Sequence, residues 1–259
     1  MYKILFLGDV VGKSGRRAVA EWLPMLLETH NPLFTIINGE NSAGGVGITP
    51  DIAEEFYSAG ADAITLGNHA FNKREISSYL DSGKPIVRPG NMADGVPGTG
   101  ACRVFKEGIE LVVINLCGQV FLDGYNNPFN WIDKFLAEEE SPHIFLDFHA
   151  EATSEKIAMG YHLDGRATAV VGTHTHVTTA DEQILEHGTA YITDVGMCGP
   201  RGSVLGMEKS IILGRFRTTL PARFEVSDNP GCISAVIINV ERNTGRANDI
   251  ERIQLPTIG

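Results

Sequence analysis

Cysteine is scarce in this chain. Four residues among 259 (Cys102, Cys117, Cys198 and Cys232) are scattered, with no Cys-x-x-Cys pair. That excludes a disulfide framework and leaves four free thiols beside apolar neighbours. No apolar run reaches the roughly 18 residues a membrane-spanning helix needs, so no membrane partner is expected. Met1-Tyr2-Lys3-Ile4 lacks the basic stretch and cleavage site of a secretory leader, and a cytoplasmic location is expected. Cations are also few: 21 Lys and Arg stand against 32 Asp and Glu, a formal net charge of −11. An acidic chain repels a phosphate backbone, which excludes a broad nucleic-acid surface. It does not exclude a small phosphorylated ligand held through bound cations. Repeats, low-complexity tracts and dividing linkers are missing too. With 43% hydrophobic and 20% charged residues, 1–259 is expected to form one globular domain.

What is present is an alternation of strand and helix patterns. Ile4–Leu7, Phe34–Ile37 and Ala63–Leu66 are continuous apolar runs of strand type. Between and after them lie helical stretches at Arg17–Glu28, from Pro50-Asp51 to about Ser58, and at about Lys73–Leu80. This βαβαβ rhythm predicts parallel strands with right-handed crossovers, hence an α/β protein. Val87–Gly100 and Val120–Asn130 read as loops. Cys102–Phe105 and Glu110–Leu116 read as an antiparallel pair, and a helix is expected from about Phe129 to Glu139. Ile144–Phe148, a helix near Ser154–Tyr161, and Ala167–Val171 resume the α/β pattern. Ala190–Thr193 and Cys232–Val240 are expected strands, and Glu208–Phe216 an expected helix. The pattern is satisfied by two sheets.

Five polar pieces close or follow the apolar runs: Gly8-Asp9, Gly39-Glu40-Asn41, Gly67-Asn68-His69, His149, and His174-Thr175-His176. In open α/β sheets such positions converge on one crevice at the strands' carboxyl ends. Each piece alone has a plain explanation. Asp9 can cap a helix or close a turn, and His149 can be a satisfied core histidine. A glutamate leaving a buried strand is costlier unless it is paired or metal-bound. His174 and His176 share a face if extended and splay apart in a turn. Taken together, imidazoles with carboxylate and amide oxygens suit Fe, Mn or Zn, and they outnumber the needs of one ion. Two ions about 3.5–4 Å apart would use them, and phosphoester hydrolysis is the chemistry such a pair serves.

Two further motifs are decoys. Gly8-Asp9-Val10-Val11-Gly12-Lys13-Ser14 imitates a phosphate-binding P-loop but has one residue too few between its first Gly and Gly-Lys. Lys13 and Ser14 are expected to begin a helix instead. Gly44-Gly45-Val46-Gly47 is expected to be a mobile loop beside Asn41. The remaining histidines, His30, His143, His162 and His187, are expected to face solvent.

The order Gly-Asp, Gly-Glu-Asn, Gly-Asn-His, lone His, His-x-His resembles the calcineurin-like metallophosphoesterases. More closely, the chain resembles the YmdB-type bacterial phosphodiesterases, through Leu7-Gly8-Asp9-Val10-Val11-Gly12, Asn38-Gly39-Glu40-Asn41, Gly67-Asn68-His69-Ala70-Phe71, Pro89-Gly90-Asn91 and Gly172-Thr173-His174-Thr175-His176-Val177. The resemblance implies two packed mixed β-sheets flanked by α-helices. It implies Asp9, Glu40, Asn41 and His176 at one metal, with Glu40 bridging to a second held by Asn68, His149 and His174. It gives His69 the role of acid toward the leaving oxygen while a hydroxide between the ions attacks phosphorus. The implied substrates are small phosphodiesters, including 2′,3′-cyclic nucleotides opened to 3′-nucleotides. One departure from the wider superfamily stands out: its Gly-Asp-x-His start is absent, because position 11 is Val. Asn41 is the natural replacement for that imidazole, and an amide oxygen favours Fe or Mn over Zn, with iron best supported by the resemblance. Two alternatives stay open, a non-catalytic metal or nucleotide sensor and a nucleotidase-like phosphomonoesterase. A homo-oligomer is expected, although no sequence patch identifies its interface.

Overall fold

The structure is a computed structural model that describes residues 1–256; the last three positions of the expected 1–259 domain lie outside the described residues. Along the chain run β1 (Tyr2–Leu7), β2 (Asp9–Val10), α1 (Gly12–His30), β3 (Phe34–Asn38), α2 (Pro50–Ala59), β4 (Ala63–Thr65), α3 (Ile76–Leu80) and β5 (Ile86–Val87). They are followed by β6 (Ala101–Lys106), β7 (Ile109–Cys117), α4 (Pro128–Leu136), β8 (Ile144–His149), α5 (Thr153–His162) and β9 (Ala169–Thr173). The last are β10 (Gln183–Ile184), β11 (Ala190–Ile192), β12 (Met197–Pro200), α6 (Lys209–Thr218), β13 (Gly231–Val240) and β14 (Ala247–Pro256). Local chemistry sets several boundaries. Thr49 accepts a hydrogen bond from Ile52 N ahead of Pro50, and Gly60 ends α2 in the left-handed region. Asn127 and Pro128 start α4 in the same manner.

Two mixed sheets result. The first has the order β2-β12-β13-β1-β3-β4-β5, with β14 on β13; the second is β10-β11-β9-β8-β7-β6. β1, β3 and β4 are parallel, as the βαβαβ rhythm requires, and β6 and β7 form the expected antiparallel pair. Period-two alternation divides the strands between layers. Ile4 and Phe6 of β1 face the second sheet and share a core with Phe34, Val113, Phe145 and Val171, whereas Leu5 and Leu7 face α1 and α2. On the second sheet Val112, Ile114, Leu146 and Phe148 turn outward onto α4 and α5. Helices therefore cover both outer faces, and the inter-sheet core is centred on the Phe6–Phe145 ring pair, 5.2 Å between centroids.

Several details differ from the sequence reading. The helix expected over Lys73–Leu80 is limited to Ile76–Leu80, and the Val87–Gly100 loop begins inside the edge strand β5. β14 was not expected, because its polar residues alternate irregularly around the inward Ile250 and Ile253 of a half-exposed strand. His143 does not face solvent; it is buried, with Tyr2 Oη 2.9 Å from its Nδ1. Lys13 and Ser14 lie in the first turn of α1. All four thiols are free. Among the described residues no helix is long and apolar enough to cross a membrane.

Gly172 on β9 lets two backbones meet: a Cβ there would sit 1.7 Å from Thr193 O. Gly214 in α6 has nothing within 4 Å of its would-be Cβ. Gly172→Ala should lose about 3 kcal/mol or more of unfolding free energy in urea, as an overpacked site does. Gly214→Ala should gain about 0.5–1 kcal/mol from helix propensity. Equal midpoints for the two variants would contradict the packing of β9 against the 193–195 segment.

Candidate metal centre

The alternation that builds the inter-sheet core also brings polar groups together at its rim. Phe145, Asp147 and His149 share the inner face of β8, as Ala169, Val171 and Thr173 do on β9. Across the gap, β3 turns Phe34, Ile36 and Asn38 inward, and β4 turns Ala63 and Thr65 inward. At the carboxyl ends of these strands the apolar residues give way to Asn38, Thr65, Asp147, His149 and Thr173. Asp147 spans the sheets: Oδ2 accepts from Asn38 Nδ2 at 2.8 Å and Thr65 Oγ1 at 2.5 Å, and Oδ1 from Thr173 Oγ1 at 2.6 Å.

Above this junction four potential ligand atoms crowd one point. His149 Nε2 lies 2.8 Å from Asn68 Oδ1, 3.0 Å from His174 Nδ1 and 3.1 Å from Glu40 Oε1. Ligand atoms about 2.0–2.2 Å from one ion lie about 3 Å apart when adjacent, so these spacings are those of a coordination sphere. Glu40, His149 and His174 form a group that could hold a metal ion, with all ligand atoms within 4.8 Å of one another.

Asp9, Asn41 and His176 adjoin this group. Asp9 is fully buried and caps no helix, since α1 begins after Val11. Its Oδ2 accepts from His174 N at 3.1 Å, while its Oδ1 has no hydrogen-bond partner and lies 3.9 Å from His176 Nε2. A buried carboxylate oxygen without a donor is costly, and a cation resolves it. Asn41 Nδ2 sits 3.1 Å from His176 Nε2 and 2.9 Å from Glu40 Oε1. Coordination through Asn41 Oδ1 requires the carboxamide turned by a half-rotation, which leaves its heavy-atom positions in place. The donor set therefore fits divalent or trivalent cations.

The imidazoles carry a further sign of this use. Thr173 spends its hydroxyl hydrogen on Asp147, so at 2.9 Å it can only accept from His149 Nδ1. His176 Nδ1 faces Leu205 O at 3.0 Å, and His174 Nε2 faces Glu151 Oε2 at 3.1 Å. Each ring thus commits one nitrogen to an acceptor and aims the other at the shared space, the outer arrangement that metal-binding histidines have.

His174 and His176 adopt φ values of 101° and 65°, the left-handed region, so the His-x-His segment is a splayed turn. Such conformations cost about 1–3 kcal/mol each and persist only where the surroundings enforce them. Lys156, buried on α5, supplies that enforcement. Its Nζ donates to Thr173 O at 2.7 Å and Asp194 Oδ2 at 2.6 Å, and the same Asp194 oxygen accepts from Thr175 N at 3.1 Å. Gly67 allows the other close approach: a Cβ there would lie 2.2 Å from Glu40 Oε2 and 2.6 Å from the His149 ring. His69 is half-buried outside the Glu40–His149–His174 group, its backbone N donating to Glu40 Oε2 at 3.1 Å.

Asp147, Glu151, Lys156, Thr173 and Asp194 escaped the sequence reading. Asp194 did carry a signal, an acid leaving the Ala190–Thr193 run, just as Glu40 leaves β3. Lys156 looked like an ordinary helix cation, and only α5's position against β9 buries it. Gly44–Gly47 is a turn closed by Ala43 N on Gly47 O and Gly45 N on Asn41 O. Val11, where the wider superfamily has an imidazole, is fully buried against Gly199 and Gly206.

Electrostatics follow from burial. Burial pushes Asp9 up from the usual carboxylate range, against the opposing pull of His176 and His149. Glu40 is lowered to about 2: burial opposes ionisation, but the charge and hydrogen bond of His149 outweigh it. His149 is raised to about 9, because Glu40, Asp9 and Asp147 together overcome the effect of burial. His174 is lowered to about 3, by burial first and the charge on His149 second.

A model of the family described as "YmdB-like protein" matches residues 5–253. A Bacillus subtilis (strain 168) protein named 2′,3′-cyclic-nucleotide 2′-phosphodiesterase is 52% identical, over 97% of this chain and 96% of that one. The crystal structure of a hypothetical protein from Thermus thermophilus superposes with a TM-score of 0.93 at 38% identity, covering 98% of this chain and 99% of the other. The NAD nucleotidase of Haemophilus influenzae shares the fold at a TM-score of 0.56 and 12% identity, with this chain spanning 56% of its length.

The raised His149 makes metal loading a proton exchange. Below about 9 the metal-free ring is protonated, so binding must release a proton, and affinity should rise about tenfold per pH unit until that point. Calorimetry of Mn²⁺ binding in buffers of different ionisation enthalpy reads this release directly, and a value of zero at pH 7 contradicts it. Thr173→Val, which frees the His149 ring, should weaken metal binding about 10–100-fold.

Proposed function

The chain belongs to the YmdB-like protein family, and we propose that it is a metal-dependent phosphodiesterase acting on small phosphodiesters, 2′,3′-cyclic nucleotides foremost. The observation that carries this is the convergence of three imidazoles, each with its outer nitrogen committed, on Glu40, Asn68 and the partnerless Asp9 Oδ1. The name of the Bacillus subtilis relative supports the substrate class and cleavage of the 2′ ester, which leaves a 3′-nucleotide. Asp9, Glu40, Asn41 and His176 hold one ion in this proposal. Glu40, Asn68, His149 and His174 hold the other. Iron is preferred, then manganese, with zinc last, because oxygen donors are numerous and no thiolate is offered. Two such ions, when bound, supply a water acidic enough to attack phosphorus at neutral pH and neutralise charge on the phosphoryl oxygens.

The remaining work falls to the chain itself. Glu40 fixes the backbone of His69 through its Oε2, and the His69 ring has its Nε2 3.4 Å from Asn68 Nδ2. From there it donates a proton to the departing ribose oxygen, which cannot leave as an alkoxide without cost. Asp147 and Thr173 hold the His149 ring, and Lys156 with Asp194 holds the turn that carries His174 and His176. The proposal includes one metallophosphoesterase domain, a homo-oligomer, and a cytoplasmic location in keeping with the free thiols.

His69→Ala should lower turnover of a 2′,3′-cyclic nucleotide by about 10²-fold or more while metal content stays near two per chain. Unchanged turnover removes His69 from the mechanism. Parallel assays with a phosphomonoester decide between diesterase and nucleotidase: faster monoester hydrolysis contradicts the proposal.

A further inference from the structure

Pro89-Gly90-Asn91 supplies no ligand to the proposed centre, yet Asn91 is fully buried. Its side chain serves a single loop. Oδ1 accepts from Cys117 N at 2.9 Å, and Nδ2 donates to Cys117 O at 2.7 Å and Asn126 O at 2.8 Å. The Asn91 carbonyl accepts from Asn126 N at 2.7 Å. Asn91 thereby staples both ends of loop 118–127 to the carboxyl end of β7. Glu155, in the first turn of α5, secures the middle: Oε1 accepts from Gln119 N at 2.8 Å and Oε2 from Val120 N at 3.3 Å. Gln119 Nε2 donates in turn to Tyr125 O at 2.9 Å.

A loop braced this thoroughly still carries two rings that the core does not take up. Phe121 is 83% exposed, and its φ of 66° is left-handed, a conformation that persists only where the surroundings enforce it. Tyr125 is half-buried, with its hydroxyl hydrogen-bonded to Cys117 Sγ and within the field of Glu40. Apolar rings on a rigid support beside a metal centre mark a binding surface.

Position indicates the ligand. Cys117 pairs with His149, whose Nε2 lies 2.8 Å from Asn68 Oδ1, one residue before His69. β4, the strand that leads into Asn68 and His69, lies against β7. The loop and His69 therefore border the same end of the cleft. In the reaction proposed above His69 protonates the departing 2′ oxygen, so the ribose stands at that end. The base is attached to the ribose carbon next to the one that bears this oxygen, which directs it toward loop 118–127. Every base has a π-face, so aromatic side chains hold bases with little regard to sequence.

We propose that loop 118–127 is the nucleobase subsite of this centre, with Tyr125 the ring on which the base stacks and Phe121 its outer wall. This deepens the diesterase reading and rests on it for the direction of the ribose. Asn91 and Glu155 act by positioning the loop, and neither touches the base.

The test is calorimetric titration of the metal-loaded protein with adenosine 3′-phosphate and with methyl phosphate, which has the ester and no base. The wild type is expected to bind the nucleotide more tightly than methyl phosphate. Tyr125→Leu and Phe121→Ala should each reduce that advantage about fivefold or more, and Tyr125→Phe, which keeps the ring, should retain most of it. Circular dichroism and metal content are expected to match the wild type, and Phe121, being exposed, can be truncated without opening the core. Equal affinities of the wild type for the two ligands overturn the subsite. So does a variant series in which both ligands weaken together, which would make the loop merely structural. Hydrolysis of 2′,3′-cyclic AMP by the same samples is expected to show a raised KM in the two truncated variants. If the nucleotide binds through these rings but the cyclic ester is not opened, the subsite stands and the diesterase reading falls.

Discussion

The Asp147 carboxylate is the constraint on which the site depends. It is fully buried between two sheets and has no Lys or Arg partner; its hydrogen bonds come from Asn38, Thr65 and Thr173. Burial raises it to about 6, against the pull of His149 and these three donors. The two sheets otherwise meet through side chains such as Phe6 and Phe145, which pack well but allow sliding. Hydrogen bonds to one carboxylate are directional, so they fix where β3, β4, β8 and β9 end relative to one another. Glu40, Asn68, His149 and His174 all lie within three residues of those ends. Their spacing of about 3 Å is set by a group that touches none of the shared space.

A second requirement follows from the concentration of negative charge. Asp9, Glu40 and Asp147 are each at most 1% exposed, and the positive charge nearest them is whatever His149 and, beside Asp9, His176 carry. Buried carboxylates in such proximity need opposite charge or protons. A protonated His149 meets part of the need, and Asp9 Oδ1 is left over. The two cations of the proposed function would answer the rest, and their charge would reverse the field felt by an approaching phosphodiester on a chain of net charge −11. The chain's net negative charge is therefore compatible with a small anionic substrate, because the attraction would be confined to the cleft.

Much of this was legible in the sequence because strand period and polarity change are local signals. Apolar runs closing on Asp9, Glu40, Asn68, His149 and His174 placed these residues near one rim, and the parallel β1–β3–β4 order followed from the intervening helices. Three kinds of information were not local. The inward register of Asp147 and Thr173 depends on which face of β8 and β9 meets the first sheet. The burial of Lys156 depends on where α5 lies. The left-handed backbone at His174 and His176 depends on Asp194, which follows a different strand, β11. The burial of His143 is the same lesson at the opposite end of the sheets: a strand-edge histidine found Tyr2 from the far N-terminus.

Val11 shows how a neighbour's packing can decide a site's chemistry. Its Cγ1 would lie 2.7 Å from a Cβ on Gly206, and its Cβ 3.1 Å from one on Gly199, so even the valine occupies space that two glycines concede. An imidazole at position 11 would need more room where the chain offers none. In the proposed assignment the two ions then differ. Asp9, Glu40 and Asn41 give one ion three oxygens beside a single imidazole, His176. Glu40 and Asn68 with His149 and His174 give the other two oxygens and two nitrogens. The first position is then the harder of the two, and oxygen donors suit Mn better than they suit softer ions. In that assignment the difference in donors between the two positions traces to the close packing of Val11 between Gly199 and Gly206, outside the ligand set itself.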